Sequence, residues 1–215
     1  MTHNFEFKQI KELKGRSEER KACSNGICAV LAANWIRMMR DSKASGAAAR
    51  KNELLKIVQG GGGVTQKAFV QGWDYAGDTK KNNVFVARAA DSSIEEFKKG
   101  NGLVPGAEIA SYVAANRRAG VHFSYGFLVS DEKGQEERGH SVAFWRSGED
   151  TWHASGHVYF FDPNFGEYKG NKREVAAWFT NFMKTKYGND FTWWYQMLLG
   201  PVSATAAPFG GRKVM

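Results

Sequence analysis

The sequence predicts an α+β fold in a single domain spanning residues 1–215, and three observations carry that expectation. Helical spacing of apolar residues fills the first half, short β-branched and aromatic runs fill the second, and no repeat or linker divides the two. A chain of 215 residues with 42% hydrophobic content also holds enough apolar material for one core without a cofactor or a staple.

The first helix is read over residues 28–40. Leu31, Trp35, Met38 and Met39 recur at helical spacing, while Asn34, Arg37 and Arg40 can face outward. Ser24, Asn25 and Gly26 precede it as turn and cap residues. A second helix covers residues 47–59, with Leu54, Leu55 and Val58 inward and Gly60 as its stop. Residues 60–83 are glycine-rich around Phe69, Val70, Trp73 and Tyr75, and read as a long surface loop holding at most one short helix. The glycine run 60–63 lacks the Gly-Lys-Ser/Thr of a phosphate-binding loop and is read as a hinge or lid.

Ser92-Ser93-Ile94-Glu95 has the spacing of a capping box and is expected to open a short helix closed by Gly100. Pro105 starts another, ending at Gly120. Residues 121–129, 140–145 and 158–162 are short, β-branched and aromatic, separated by polar segments 130–139 and 146–156, which predicts an antiparallel sheet. Helical spacing returns over 172–187 through Val175, Trp178, Phe179, Phe182 and Met183, and residues 191–199 form a closing strand. The helix at residue 28 is then expected to pack on the sheet, with the strands carrying polar side chains to its mouth.

A net charge of +8 favours acidic partners, but the Lys and Arg residues are dispersed and no block of five basics occurs. Nucleic-acid binding is therefore not expected, and a non-catalytic basic binding module is the least favoured class. No apolar run is long enough to span a membrane, and the first residues lack the apolar centre of a signal peptide. Contact with an anionic membrane surface would be peripheral. Cys23 and Cys28 cannot make a disulfide framework and lack the paired spacing of a zinc site, so neither metal nor cofactor is expected.

Of the two thiols, Cys28 stands where an apolar helix begins. Unpaired N–H groups of the first turn and the helix dipole favour a thiolate there, and only the thiolate is a nucleophile. Cys23 reads as a structural thiol. A histidine close by would stabilise the thiolate and later protonate a leaving group. His140, at the head of a strand, is the choice, with His122, His153 and His157 as competitors. Asp162 ends the next strand, and the His140 to Asp162 spacing accommodates a strand, a hairpin and a second strand that return the carboxylate to the imidazole. Asn164 is the reserve orienter. The Cys28 backbone N–H supplies one oxyanion donor, with Asn25 as the second and Ser24 as its alternative. Asp-Pro-Asn after an apolar strand is also an ordinary turn signal.

Three segments, residues 26–36 around Cys28, Gly139-His140-Ser141-Val142-Ala143, and 160–168 with Asp162-Pro163-Asn164-Phe165-Gly166, resemble the YopT/AvrPphB-type cysteine proteases, bacterial virulence effectors with a papain-like fold. The resemblance spans roughly residues 24–168 and maps the family's Cys-His-Asp triad onto Cys28, His140 and Asp162. It implies a secreted toxin-like enzyme acting in the cytosol of a target cell on a host or competitor protein, by peptide-bond cleavage through an acyl-enzyme. The alternative is a deamidase or transglutaminase acting on Gln or Asn side chains, for example of a Rho-type GTPase. Two departures stand out. The lipid-modified Rho GTPases associated with YopT have basic tails, which a +8 enzyme would repel. Papain-type enzymes also place a Gln six residues before the nucleophile, where this chain has Ala22. The stretch ahead of Cys28 is too short for a regulatory domain to be expected there.

Overall fold

The computed structural model describes residues 1–13, 27–41, 46–60, 79–102, 106–116, 120–131, 134–147 and 156–201. Its strands are β1 (Thr2–Phe5), β2 (Ser92–Asn101), β3 (Gly120–Asp131), β4 (Gly134–Arg146), β5 (His157–Asp162), β6 (Gly166–Asn171) and β7 (Phe191–Pro201). They form one seven-stranded antiparallel sheet in the order β1-β6-β5-β4-β3-β7-β2. The helices are α1 (Gln9–Glu12), α2 (Cys28–Asp41), α3 (Ala47–Gln59), α4 (Thr79–Ala89), α5 (Gly106–Ala115) and α6 (Val175–Tyr187).

Strand alternation divides the apolar residues between two cores. On β4, Ala143 and Trp145 join a core with Leu31 and Trp35 of α2, whereas Val142 and Phe144 join a second core with Ile109 of α5 and Phe179 of α6. The sheet is thus covered on both faces, with α2, α3 and α4 on one and α5 and α6 on the other. Helix α2 is buried almost all round, and its small residues Ala32 and Ala33 let it lie close to the strands. Gly120 of β3 permits one such approach, since a Cβ there would stand 2.3 Å from Ile36.

A buried charge network ties the helix layer to the sheet edge. Glu167 of β6 has no exposed surface and accepts from Trp35 Nε1 and Asn4 Nδ2, both at 2.8 Å, and from Arg50 Nε at 2.6 Å. A second guanidinium nitrogen of Arg50 bonds its other oxygen, so the pair is bidentate. Four elements, β1, α2, α3 and β6, meet on one carboxylate.

Most expected elements stand within a few residues of their sequence limits, and four do not. The capping-box segment is strand β2, because every other option would forfeit its ladder to β7, which runs from Ser92↔Pro201 to Asn101↔Trp193. The Ser92 hydroxyl is used elsewhere, donating to the Ala90 carbonyl and accepting from Arg40. Helix α4 extends through Ala89, past the glycine-rich stretch whose residues 61–78 lie outside the described set. The polar segment 130–139 is largely strand, pairing from Ser130↔Gln135 to Gly126↔Gly139 as a ribbon with an exposed polar β4 arm. Finally, β1 and β6 pair at an edge that sequence patterning did not reveal, beside the β5–β6 turn at which Gly166 takes φ +108. A Cβ at Gly166 would stand 1.9 Å from the Phe5 carbonyl oxygen. No helix among the described residues is long and apolar enough to cross a membrane.

Replacing Arg50 by Met would leave the Glu167 carboxylate buried without its cation. Urea unfolding of Arg50→Met should show a loss of about 3–5 kcal/mol, and Arg50→Met/Glu167→Leu should recover much of it.

Candidate active site

The β4–β5 ladder runs from Arg146↔Val158 to Ala143↔Phe161 and stops, so His140 and Ser141 of β4 lie beyond it on that side. The start of α2 meets the strand there. Neighbouring strand residues point to opposite faces, yet both touch Cys28: its sulfur is hydrogen-bonded to the His140 ring and to the backbone and side chain of Ser141. A sulfur standing at the open edge of β4 reaches both faces.

His140 Nε2 donates to Asp162 Oδ1 at 2.9 Å, which leaves Nδ1 for the sulfur. Asp162 is the last residue of β5 and has no exposed surface. Its Oδ1 also accepts the Asn164 backbone N–H at 2.7 Å, and its Oδ2 accepts the Tyr187 hydroxyl at 2.7 Å. The Asp-Pro-Asn-Phe-Gly segment is therefore both the β5–β6 turn, closed by Phe165 N–H to the Asp162 carbonyl at 3.0 Å, and the seat of the carboxylate. Tyr187, the last residue of α6, stacks on the His140 ring at 5.3 Å, and Tyr125 meets that ring edge-on at 5.7 Å.

Electrostatics favour an ion pair. Burial pushes the Cys28 thiol up, but the hydrogen bond and charge of His140, with the Ser141 hydrogen bonds, bring it below its ordinary value. Burial likewise opposes a charged His140, and the Asp162 carboxylate overcomes it, so that the imidazole is pushed up to about 10. Thiolate and imidazolium each supply the counter-charge the other needs. Beneath the sulfur, Ser141 Oγ shares a 2.7 Å hydrogen bond with Ser124 Oγ, and Ser124 in turn meets the Tyr195 hydroxyl.

The structure brings together Cys28, His140 and Asp162. Asn164 does not touch the imidazole with its side chain; it bridges Gln9 and the Tyr187 hydroxyl, so the ring is oriented by Asp162. His122 faces the Ala29 carbonyl, donating from Nε2 at 3.4 Å, and burial holds it down to about 4, a neutral ring rather than a partner for the sulfur. His157 is exposed at the opposite end of β5 from Asp162. Cys23, Ser24, Asn25 and His153 lie outside the described residues.

Ser141, Tyr187 and Gln9 were missed by sequence reasoning. Ser141 carried a usable signal, since it follows His140 on a strand whose open edge lies beside Cys28. Tyr187 and Gln9 carried none, because both reach the site from elements distant in sequence. Among the described residues no three His, Cys, Asp or Glu side chains converge as a metal site requires.

No family model matches the chain, and no curated protein matches it. Its fold is similar to that of a solved structure, the Pseudomonas avirulence protein AvrPphB, with a TM-score of 0.55 and 19% identity over 84% of this chain and 95% of the other.

The ion pair has a direct chemical readout in a Cys23→Ser background. Cys28 should react with iodoacetamide at pH values below those of an ordinary thiol, with the rate holding level until His140 loses its proton near pH 10. His140→Ala should move the acid limb upward toward about 8.5 or beyond. An unmoved limb would show that the imidazole does not stabilise the sulfur.

Proposed function

We propose that the chain is a papain-like thiol hydrolase, a cysteine endopeptidase of bacterial effector type that cleaves a protein of a host or competitor cell. The observation that carries this reading is the pairing of a helix-start thiol, held below its ordinary pKa, with a carboxylate-backed imidazole held above its own. Such a pair presents nucleophile and proton donor together at neutral pH. Similarity of fold to an avirulence protein supports the effector assignment, and the proposal extends to secretion and to action in the cytosol of a target cell.

In the proposed cycle the Cys28 thiolate attacks the scissile carbonyl carbon, and charge passes to its oxygen. The Cys28 backbone N–H at the helix start meets that oxygen, with Asn25 as the proposed second donor. The C–N bond then breaks, the amine leaves with the proton from His140 Nδ1, and the acyl group stays on sulfur. Neutral His140 next takes a proton from water, whose oxygen attacks the thioester and releases the acid. Asp162 remains a carboxylate throughout, holding the ring by Nε2.

Cells or lysates exposed to wild-type and Cys28→Ala protein separate the outcomes by mass spectrometry. New protein termini that depend on Cys28 support the endopeptidase. Uncut chains in which a Gln or Asn amide has become an acid would instead assign side-chain deamidation to the same thiol. Full target modification by Cys28→Ala would remove the catalytic assignment. His140→Ala should lower turnover by about 10²–10⁴-fold.

A further inference from the structure

Gln9, on the short helix α1, is almost fully buried, and the triad reading makes no use of it. Its side-chain Oε1 accepts the backbone N–H of Ile27, the residue before the nucleophile, at 2.8 Å. Its Nε2 donates to Asn164 Oδ1 at 2.7 Å, and its backbone N–H donates to the Pro163 carbonyl at 2.9 Å. One amide thereby joins the start of the Cys28 helix to the turn that carries Asp162.

From Asn164 the connections continue to the carboxylate by two routes. Its backbone N–H bonds Asp162 Oδ1 directly, and its side-chain Nδ2 donates at 3.3 Å to the Tyr187 hydroxyl, which donates to Asp162 Oδ2. Asp162 holds His140, and His140 bonds the sulfur of Cys28, one residue on from Ile27. The hydrogen bonds form a closed ring through the chain, and Gln9 supplies the link between its ends.

Local sequence explains why the link must come from afar. A helix commonly satisfies the N–H of the residue before its first turn with a Glu or Gln three positions on. Here that position is Val30, whose side chain has no acceptor, so a buried N–H would be left unpaired without Gln9. Phe7 and Leu13, both buried in the α2-side core, fix the segment that delivers it. Phe7 also packs edge-on against Phe161 of β5, one residue before Asp162.

We infer that Gln9 is a positioning residue that clamps the Cys28 helix to the Asp162 turn, making the N-terminal segment a working part of the site. The inference rests on the thiol-hydrolase reading for the role of the sulfur, and its test is separable from that reading. The experiment compares full-length Cys23→Ser protein with the same protein carrying Gln9→Ala, Asn164→Ala or both. It measures the pH profile of iodoacetamide alkylation of Cys28, alongside thermal unfolding.

Gln9→Ala should raise the midpoint of the profile by about one pH unit and slow the reaction at pH 6 about tenfold. Asn164→Ala should give a similar shift, and the double variant should add little, because both remove one link. A residue of merely structural value would lower the melting temperature and leave the profile of the folded protein in place. Superimposable profiles for parent and Gln9→Ala would overturn the inference. Should Gln9→Ala fail to fold, Asn164→Ala decides by the same criterion. A parent Cys28 that itself titrates as an ordinary thiol would overturn both the clamp and the hydrolase reading, whereas a low parent midpoint with unmoved variants overturns the clamp alone.

Discussion

A carboxylate with no exposed surface must be met by donors on nearly every side, and meeting that demand at Asp162 shapes the centre of this molecule. Three donors come from three places: an imidazole on β4, a backbone N–H in the β5–β6 turn, and a phenol at the end of α6. Each fixes an element relative to the others. The ring held by this carboxylate then presents its second nitrogen to the sulfur at the start of α2, so the helix joins the same arrangement.

The two layers of helices divide the labour around that centre. Helix α2 brings the thiol from one face of the sheet, and α6 brings Tyr187 from the other. They meet only because the β4–β5 ladder stops short of His140, leaving an opening at the strand edge. Similarity of fold to AvrPphB at 19% identity describes this scaffold. The chemistry lies in the side chains set into it.

Legibility in the sequence followed the range of the physics. Helix α2, strands β3 to β5 and β7, and helix α6 were readable because amphipathic spacing is a local property. Cys28 and Asp162 were readable because each sits at the end of such an element, and His140 because the buried half of β4 begins there, after an exposed polar arm. Ser92 to Glu95 misled, since a four-residue capping pattern is outweighed by the ladder of a ten-residue strand to β7. The β1–β6 pair was silent because it is short and exists only through pairing. Tyr187 and Gln9 were silent for a stricter reason: a side chain that serves another element's end leaves no periodic trace in its own.

One buried ring ties the stability of the fold to pH. His122 is neutral in the fold, with its value depressed from 6.5 to about 4 by burial, while in the unfolded chain it takes up a proton below about 6.5. The unfolded state therefore binds the extra proton as the medium acidifies from 6.5 toward 4, and stability declines across that interval. The ring leans on the carbonyl of Ala29, next to Cys28. This one ring thus makes the fold less stable in mildly acidic than in neutral surroundings.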